Sequence, residues 1–229
     1  MSMYVWISSM CLMITLSESA VYQTPTYIAK RKGISRYELL IGNEANQAVK
    51  EKVIIDTKKQ TETFIVPKYG RSNAAVVLDD FKKKLKLIYN KDKNVCYLLT
   101  GHMNNEEPPR VLKAIIDREL NMKTVLRSFR KVEEMQTSTW KIGKPLKNAH
   151  RTLFNRAMNK LCGKKQVFWL RKAKGNKKQA RNQANHKRDG SQYACYSQIC
   201  TTFYYTKYVF EPSFHTVRVQ KTRCVLVIC

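Results

Sequence analysis

The sequence predicts an α+β protein: a small mixed sheet with flanking helices over residues 50–170, then a separate disulfide-clamped β-hairpin over residues 189–229. Three observations predict it. Short β-prone runs alternate with stretches of helical apolar period between residues 50 and 170. A polar, basic stretch with little to bury follows at 171–188. The last segment then carries two Cys-x-x-x-x-Cys pairs placed symmetrically about a proline.

The elements follow in chain order. Met3 to Leu16 is an apolar run without charge, shorter than the roughly 20 residues a membrane span needs. Small residues follow it, so residues 1–19 read as a signal peptide cut after Ser19, with Ala20 as the alternative. Residues 20–49 show no clear apolar period and read as a propeptide linker. Val53–Ile55 and Thr63–Val66 predict two short strands around a polar turn near Lys58–Gln60. Val77, Leu78, Phe81, Leu85 and Ile88 recur at three- and four-residue spacing and predict a helix over Asn73–Tyr89. Asn94–Thr100 reads as a buried strand. Pro108 and Pro109 can open a helix over Val111–Leu120, with Val111, Leu112, Ile115 and Ile116 facing inward. Strands are expected at Thr124–Val132 and Thr137–Ile142, a further helix at Leu153–Leu161, and a closing strand at Val167–Leu170.

Charge divides the chain unevenly. There are 43 Lys and Arg against 17 Asp and Glu, a net +26. Residues 151–188 hold 13 basic residues and no acidic one, whereas residues 189–229 hold 4 basic and 2 acidic. Such a stretch attracts polyanions, but its composition is first that of a solvated, protease-accessible linker. Lys187–Arg188 is its candidate processing site, directly before Asp189 and at the entrance of the cysteine-rich segment; Arg171–Lys172 and Lys177–Lys178 are further dibasic pairs. With Cys11 removed in the signal, six cysteines remain, an even number that suits disulfides in a secreted chain and permits 15 pairings.

The C-terminal segment argues for itself. Facing residues in an antiparallel hairpin have a constant sum of residue numbers. Cys195 with Cys229 and Cys200 with Cys224 both give 424, which centres the hairpin on Pro212, within Glu211-Pro212-Ser213. The arms, Thr201–Phe210 and Phe214–Arg223, are rich in β-branched and aromatic residues; Phe210 then faces Phe214, and Tyr205 faces Val219. Nested pairing is the preferred connectivity. Cysteines five apart fall on opposite faces of an unbroken strand, which puts the two bridges on opposite sides of the ribbon or requires a bulge. Each bridge would contribute ~2–4 kcal/mol to a hairpin that is otherwise marginal in water.

Several of these features together resemble a BRICHOS domain. They are Val76-Val77-Leu78-Asp79-Asp80-Phe81 ahead of a basic-apolar stretch, Cys96-Tyr97-Leu98, and Leu161-Cys162-Gly163 followed by Val167-Phe168-Trp169-Leu170. Asp80, before Phe81, matches the family's characteristic aspartate, with Asp79 as the fallback. The match spans about 120 residues, just over half of the chain. The resemblance implies a BRICHOS-like mixed sheet with flanking helices and a disulfide from Cys96 to Cys162. It also implies a precursor in which the domain acts as intramolecular chaperone for a β-prone C-terminal client. The four cysteines at the C-terminus shift the likeness from Bri-type membrane proteins toward marine-worm antimicrobial precursors of the arenicin and alvinellacin kind.

The expected function is therefore a secreted, non-enzymatic precursor. Its partners would be its own C-terminal segment, processing proteases, and anionic lipid for the released peptide; no cofactor and no nucleic acid are expected. A hormone-like or Bri-like signalling precursor and an uncleaved extracellular structural protein are the alternatives. His102, His150, His186 and His215 are scattered outside any metal-ligand motif, there is no phosphate-binding glycine loop, and Asp79–Asp80 as helix neighbours would point apart.

Overall fold

The computed structural model describes residues 26–31, 33–42, 48–101, 106–121, 130–173, 197–210 and 214–228. Among these residues eleven strands form one sheet: β1 (Thr26–Arg31), β2 (Ile34–Gly42), β3 (Ala48–Asp56), β4 (Thr61–Val66), β5 (Ala75–Asp80), β6 (Leu85–Asn90), β7 (Val95–Thr100), β8 (Arg130–Pro145), β9 (Val167–Lys172), β10 (Ser197–Phe210) and β11 (Phe214–Ile228). Two helices accompany them, α1 (Pro109–Asn121) and α2 (Arg156–Cys162), with a 3₁₀ turn at Asn148–Leu153. The spatial order is β1-β2-β3-β4-β5-β6-β7-β9-β8-β11-β10. The α+β expectation is thus corrected: the protein is mostly β, and its hairpin is not separate but forms the last two strands of the same sheet.

The meander from β1 to β7 is antiparallel throughout. Its tight turns share one chemistry. Asp56, Asp80 and Asn90 each close a strand, and the side-chain Oδ1 of each accepts the backbone N–H three residues on, from Lys59, Lys83 and Lys93 (2.9, 3.0 and 3.1 Å). The next residue, Gln60, Lys84 or Asn94, turns the chain with a positive φ of 57°, 53° or 52°. A short polar side chain that caps its own turn competes well against helix.

This turn is why the helix expected over Asn73–Tyr89 is absent. That stretch is β5, a turn at Asp80–Lys84, and β6. The apolar spacing misleads because β5, β6 and β7 are covered on both faces, so Val77–Asp80 and Leu85–Ile88 show continuous rather than alternating burial. Residues 26–42, within the expected linker, form β1 and β2; Tyr37, Leu39 and Ile41 alternate inward there. The two strands expected at 124–132 and 137–142 are one long strand over Arg130–Pro145, while residues 122–129 lie outside the described residues. Among the expected helices, α1 appears with Leu112 and Ile116 buried, although Val111 is exposed. The helix expected at Leu153–Leu161 is shortened to α2.

The sheet curls, and each face carries its own core. On the inner side Tyr37, Val53, Phe64, Val77, Ile88, Tyr97 and Leu99 pack around Leu112 and Ile116 of α1. On the outer side Leu78, Leu87, Leu98 and Val167 pack against Phe154 and Met158 of the α2 segment. A disulfide between Cys96 of β7 and Cys162 of α2 (Cα–Cα 6.2 Å) fastens this second layer. Asn155 caps α2 by accepting the Met158 N–H (2.9 Å) and donates through Nδ2 to Asp80 Oδ2 (2.8 Å). Asp80 therefore joins the β5–β6 turn to α2, whereas Phe81 is only partly buried and its N–H donates to the Gln60 carbonyl (3.0 Å).

Candidate functional site

The candidate site is the seat of the C-terminal hairpin. β10 and β11 pair from Ser197–Val227 to Phe210–Phe214, every facing pair adding to 424, with Tyr205 opposite Val219. Cys200 and Cys224 face one another and are disulfide-bonded, their Cα atoms 4.1 Å apart. So close a spacing marks a non-hydrogen-bonded pair. The backbone N–H groups of residues 198, 200 and 202 accordingly point away from β11, toward the open edge of β10.

That edge is closed by side chains of the preceding region. The Gln198 N–H donates to Asn73 Oδ1 (3.1 Å), the Cys200 N–H to Ser72 Oγ (3.1 Å), and the Thr202 N–H to the two Glu51 carboxylate oxygens (3.5 and 3.3 Å). The Asn73 N–H donates back to the Gln198 carbonyl (2.7 Å), and the Tyr204 hydroxyl reaches the Leu40 carbonyl (3.0 Å). An exposed strand edge invites pairing with another chain, and polar side chains on its donors forestall this. Burial pushes the Glu51 carboxyl well above its ordinary range, opposed by the Thr202 N–H.

The other edge is held by a strand. β11 runs parallel to β8 without a break, from Val217–Arg130 to Ile228–Lys141. Between the edges, Ile199, Phe203, Val225 and Val227 enter the inner core beside Trp140 and Leu170. Burying four such side chains contributes ~1.5–3 kcal/mol each. A cavity of about 30 Å³ remains between the hairpin and Val77, Lys86, Glu106 and Ser138, roughly the space of a single water.

Charge completes the seat. Lys221 Nζ lies 3.0 Å from Glu107 Oε1, and the Arg223 guanidinium pairs with both Glu106 and Glu107. Arg223 also lies 5.0 Å from the Phe203 ring centroid. Behind this group, Lys86 bridges Glu106 (2.9 Å) and Asp79 (3.3 Å). Burial opposes the Lys86 charge, but Asp79 and Glu106 outweigh it and hold its pKa above the ordinary value. Burial, with Glu106 nearby and Lys86 opposing, raises Asp79 to about 6. Glu62, cross-strand from Asp79, is buried without a hydrogen bond; burial and then the Asp79 and Glu106 charges push it to about 9, so it is neutral at pH 7. Tyr205 donates to Glu134 Oε2 (2.8 Å), and burial followed by this bond raises its phenol to about 12.

Of the residues singled out in the sequence, Cys200 and Cys224 lie in the seat, Cys96 and Cys162 behind it in the outer layer, and Asp80 and Phe81 at the β5–β6 turn. Cys195, Cys229, Ser19, Lys187 and Arg188 lie outside the described residues. Glu51, Ser72, Asn73, Glu106, Glu107 and the β8 edge were not anticipated. An adjacent Glu pair just ahead of Pro108–Pro109, in a chain so short of acid, was the one local signal for Glu106 and Glu107.

No described helix is long and apolar enough to cross a membrane, and no group of three or more His, Cys, Asp or Glu among the described residues could hold a metal ion. The two disulfides among the described residues fit an oxidising, extracellular setting. In comparisons with known proteins, no family model matches the chain and no curated protein matches it.

Proposed function

We propose that the chain is a secreted precursor whose region before the basic linker chaperones its own C-terminal cystine hairpin, which proteolysis near Lys187–Arg188 frees as a membrane-active antimicrobial peptide. One observation carries the reading: the hairpin is held on both edges, by β8 along β11 and by Asn73, Ser72 and Glu51 along β10. Its Phe203-Tyr204-Tyr205 and Val225–Ile228 runs are β-prone windows that would otherwise pair with copies of themselves. A seat in the same chain meets them at high effective concentration.

The resemblance to BRICHOS precursors supports the same order of parts: targeting segment, chaperone region, linker, client. It enters through the motifs around Asp80, Cys96 and Cys162, not through the helix-flanked fold it implied. The freed hairpin, with Lys207, Arg218, Lys221 and Arg223 against Asp189 and Glu211, would adsorb to anionic lipid through charge and ring burial.

Two measurements test the proposal. In a secretory host, deleting residues 50–170 is expected to cause aggregation or retention of the remainder. Equal secretion of soluble, correctly oxidised 189–229 would overturn the chaperone role. Oxidised 189–229 is expected to release dye from anionic vesicles at micromolar concentration, and no leakage would overturn the membrane activity. A second reading, an uncleaved extracellular protein, is favoured by the burial of Ile199, Phe203, Val225 and Val227 in the shared core. A secreted product of intact mass with no processed species would select it.

A further inference from the structure

We infer that the seat is a receptor selective for cationic β-hairpins, with Glu106 and Glu107 setting that selectivity, so that cutting the linker first yields a non-covalent complex, from which the peptide is freed in a separate dissociation step. The inference rests on the client reading above and names what the client must be.

The first argument is mechanical. The hairpin supplies Ile199, Phe203, Val225 and Val227 to the inner core, pairs with β8 along all of Val217–Ile228, and has three of its outward N–H groups taken up by Asn73, Ser72 and Glu51. All of these contacts are made by residues outside 174–196, so a cut between Arg188 and Asp189 breaks none of them. The disulfides among the described residues also fall on either side of the cut, Cys96–Cys162 before it and Cys200–Cys224 after it.

The second argument is electrostatic. Glu106 and Glu107 sit between β7 and α1 and meet Lys221 and Arg223. These are half of the client's four basic residues. The Glu106 and Arg223 side chains are 6% and 10% exposed, so an acidic or neutral residue at position 223 would leave Glu106 short of a buried partner, a costly arrangement. A hairpin lacking these cations would fit the strands and still be rejected. While seated, Lys221 and Arg223 are paired with these carboxylates and are withheld from an anionic surface.

The test uses the full, oxidised chain with a site-specific protease sequence inserted between Arg188 and Asp189. After native cleavage, the two pieces are expected to co-elute at the size of the uncut chain while separating on a non-reducing denaturing gel. Elution of the hairpin as its own later peak, or pieces that stay covalently joined, would overturn the inference. For selectivity, Glu107→Lys is expected to weaken retention of the cut hairpin by at least about tenfold. Adding Lys221→Glu to the same chain is expected to restore it. Unchanged retention in Glu107→Lys, or loss that the reversed pair does not recover, would refute the role of the acidic pair. The underlying reading fails separately: if deleting residues 50–170 leaves secretion intact, the chaperone role falls even when the cut pieces co-elute. If deletion causes aggregation yet the pieces part, the chaperone role stands and the receptor falls.

Discussion

Glu62→Gln tests the buried charge network directly. The Glu62 carboxyl is 1% exposed, lies cross-strand from Asp79, and accepts no hydrogen bond. Its folded pKa of about 9 stands above the ordinary 4.5. Below pH 4.5 both folded and unfolded chains carry the proton; between 4.5 and 9 the folded chain keeps a proton that the unfolded chain has lost. Stability therefore falls as pH rises through this window. At about 1.4 kcal/mol per pH unit, the loss at pH 7 relative to pH 4.5 is about 3 kcal/mol. Glutamine has nearly the same shape, is equally unpaired and does not ionise, so it removes the pH-dependent part and leaves the rest. The variant is expected to match the parent within about 1 kcal/mol at pH 4 and to exceed it by about 3 kcal/mol at pH 7, and by more at pH 8. Urea unfolding of the oxidised chains at pH 4, 6, 7 and 8 measures this. Asp79, raised to about 6, adds a fall of the same sign at lower pH, but it is present in both chains and cancels in the difference. A difference that stays flat with pH, or a variant less stable than its parent at pH 8, would refute the reasoning.

Three further outcomes are expected. Asp80→Ala removes the acceptor for the Lys83 N–H and for Asn155 Nδ2, and should cost about 2–3 kcal/mol in denaturant unfolding; a cost below about 0.5 kcal/mol would contradict its place as the tie between turn and α2. Replacing Cys200 and Cys224 together by Ser opens a bridge spanning 24 residues and should lower stability by about 3 kcal/mol, read as a fall in midpoint with an increased tendency to aggregate. Lys84→Gly relieves a non-glycine residue held at φ 53° and should raise the thermal midpoint, with a gain of up to about 1 kcal/mol; a lowered midpoint would show that the Lys84 side chain does more than turn the chain.

The contrast between the hairpin and the rest of the chain shows what a sequence discloses. The hairpin register was legible because antiparallel pairing leaves a local, symmetric trace: cysteines equidistant from Pro212 and β-rich arms between them. The strands at 53–55, 63–66, 94–100 and 167–170 and the start of α1 were legible for similar reasons, through short apolar runs, prolines and turn residues. The β5–β6 pair was not. With both faces buried, its apolar residues lose the two-residue alternation and imitate a helical stripe, and the deciding feature is one carboxylate, Asp80, folded back onto the Lys83 N–H.

The seat itself, apart from the Glu106–Glu107 pair, was not legible. Parallel pairing of β11 with β8 needs no turn and leaves no symmetry in residue numbers. The acceptors along β10 come from β3 and from the β4–β5 connection, more than a hundred residues earlier in the chain, and no local pattern marks Glu51, Ser72 or Asn73. The sequence by itself determined the local parts: which runs extend, where the chain turns, how the two C-terminal arms face each other, and where basic charge collects. Tertiary structure alone decided that these parts form one curled sheet with the hairpin as its last two strands. The physical reason is that a strand's open edge and a buried ion pair are completed by whichever distant segment the closing core brings to them.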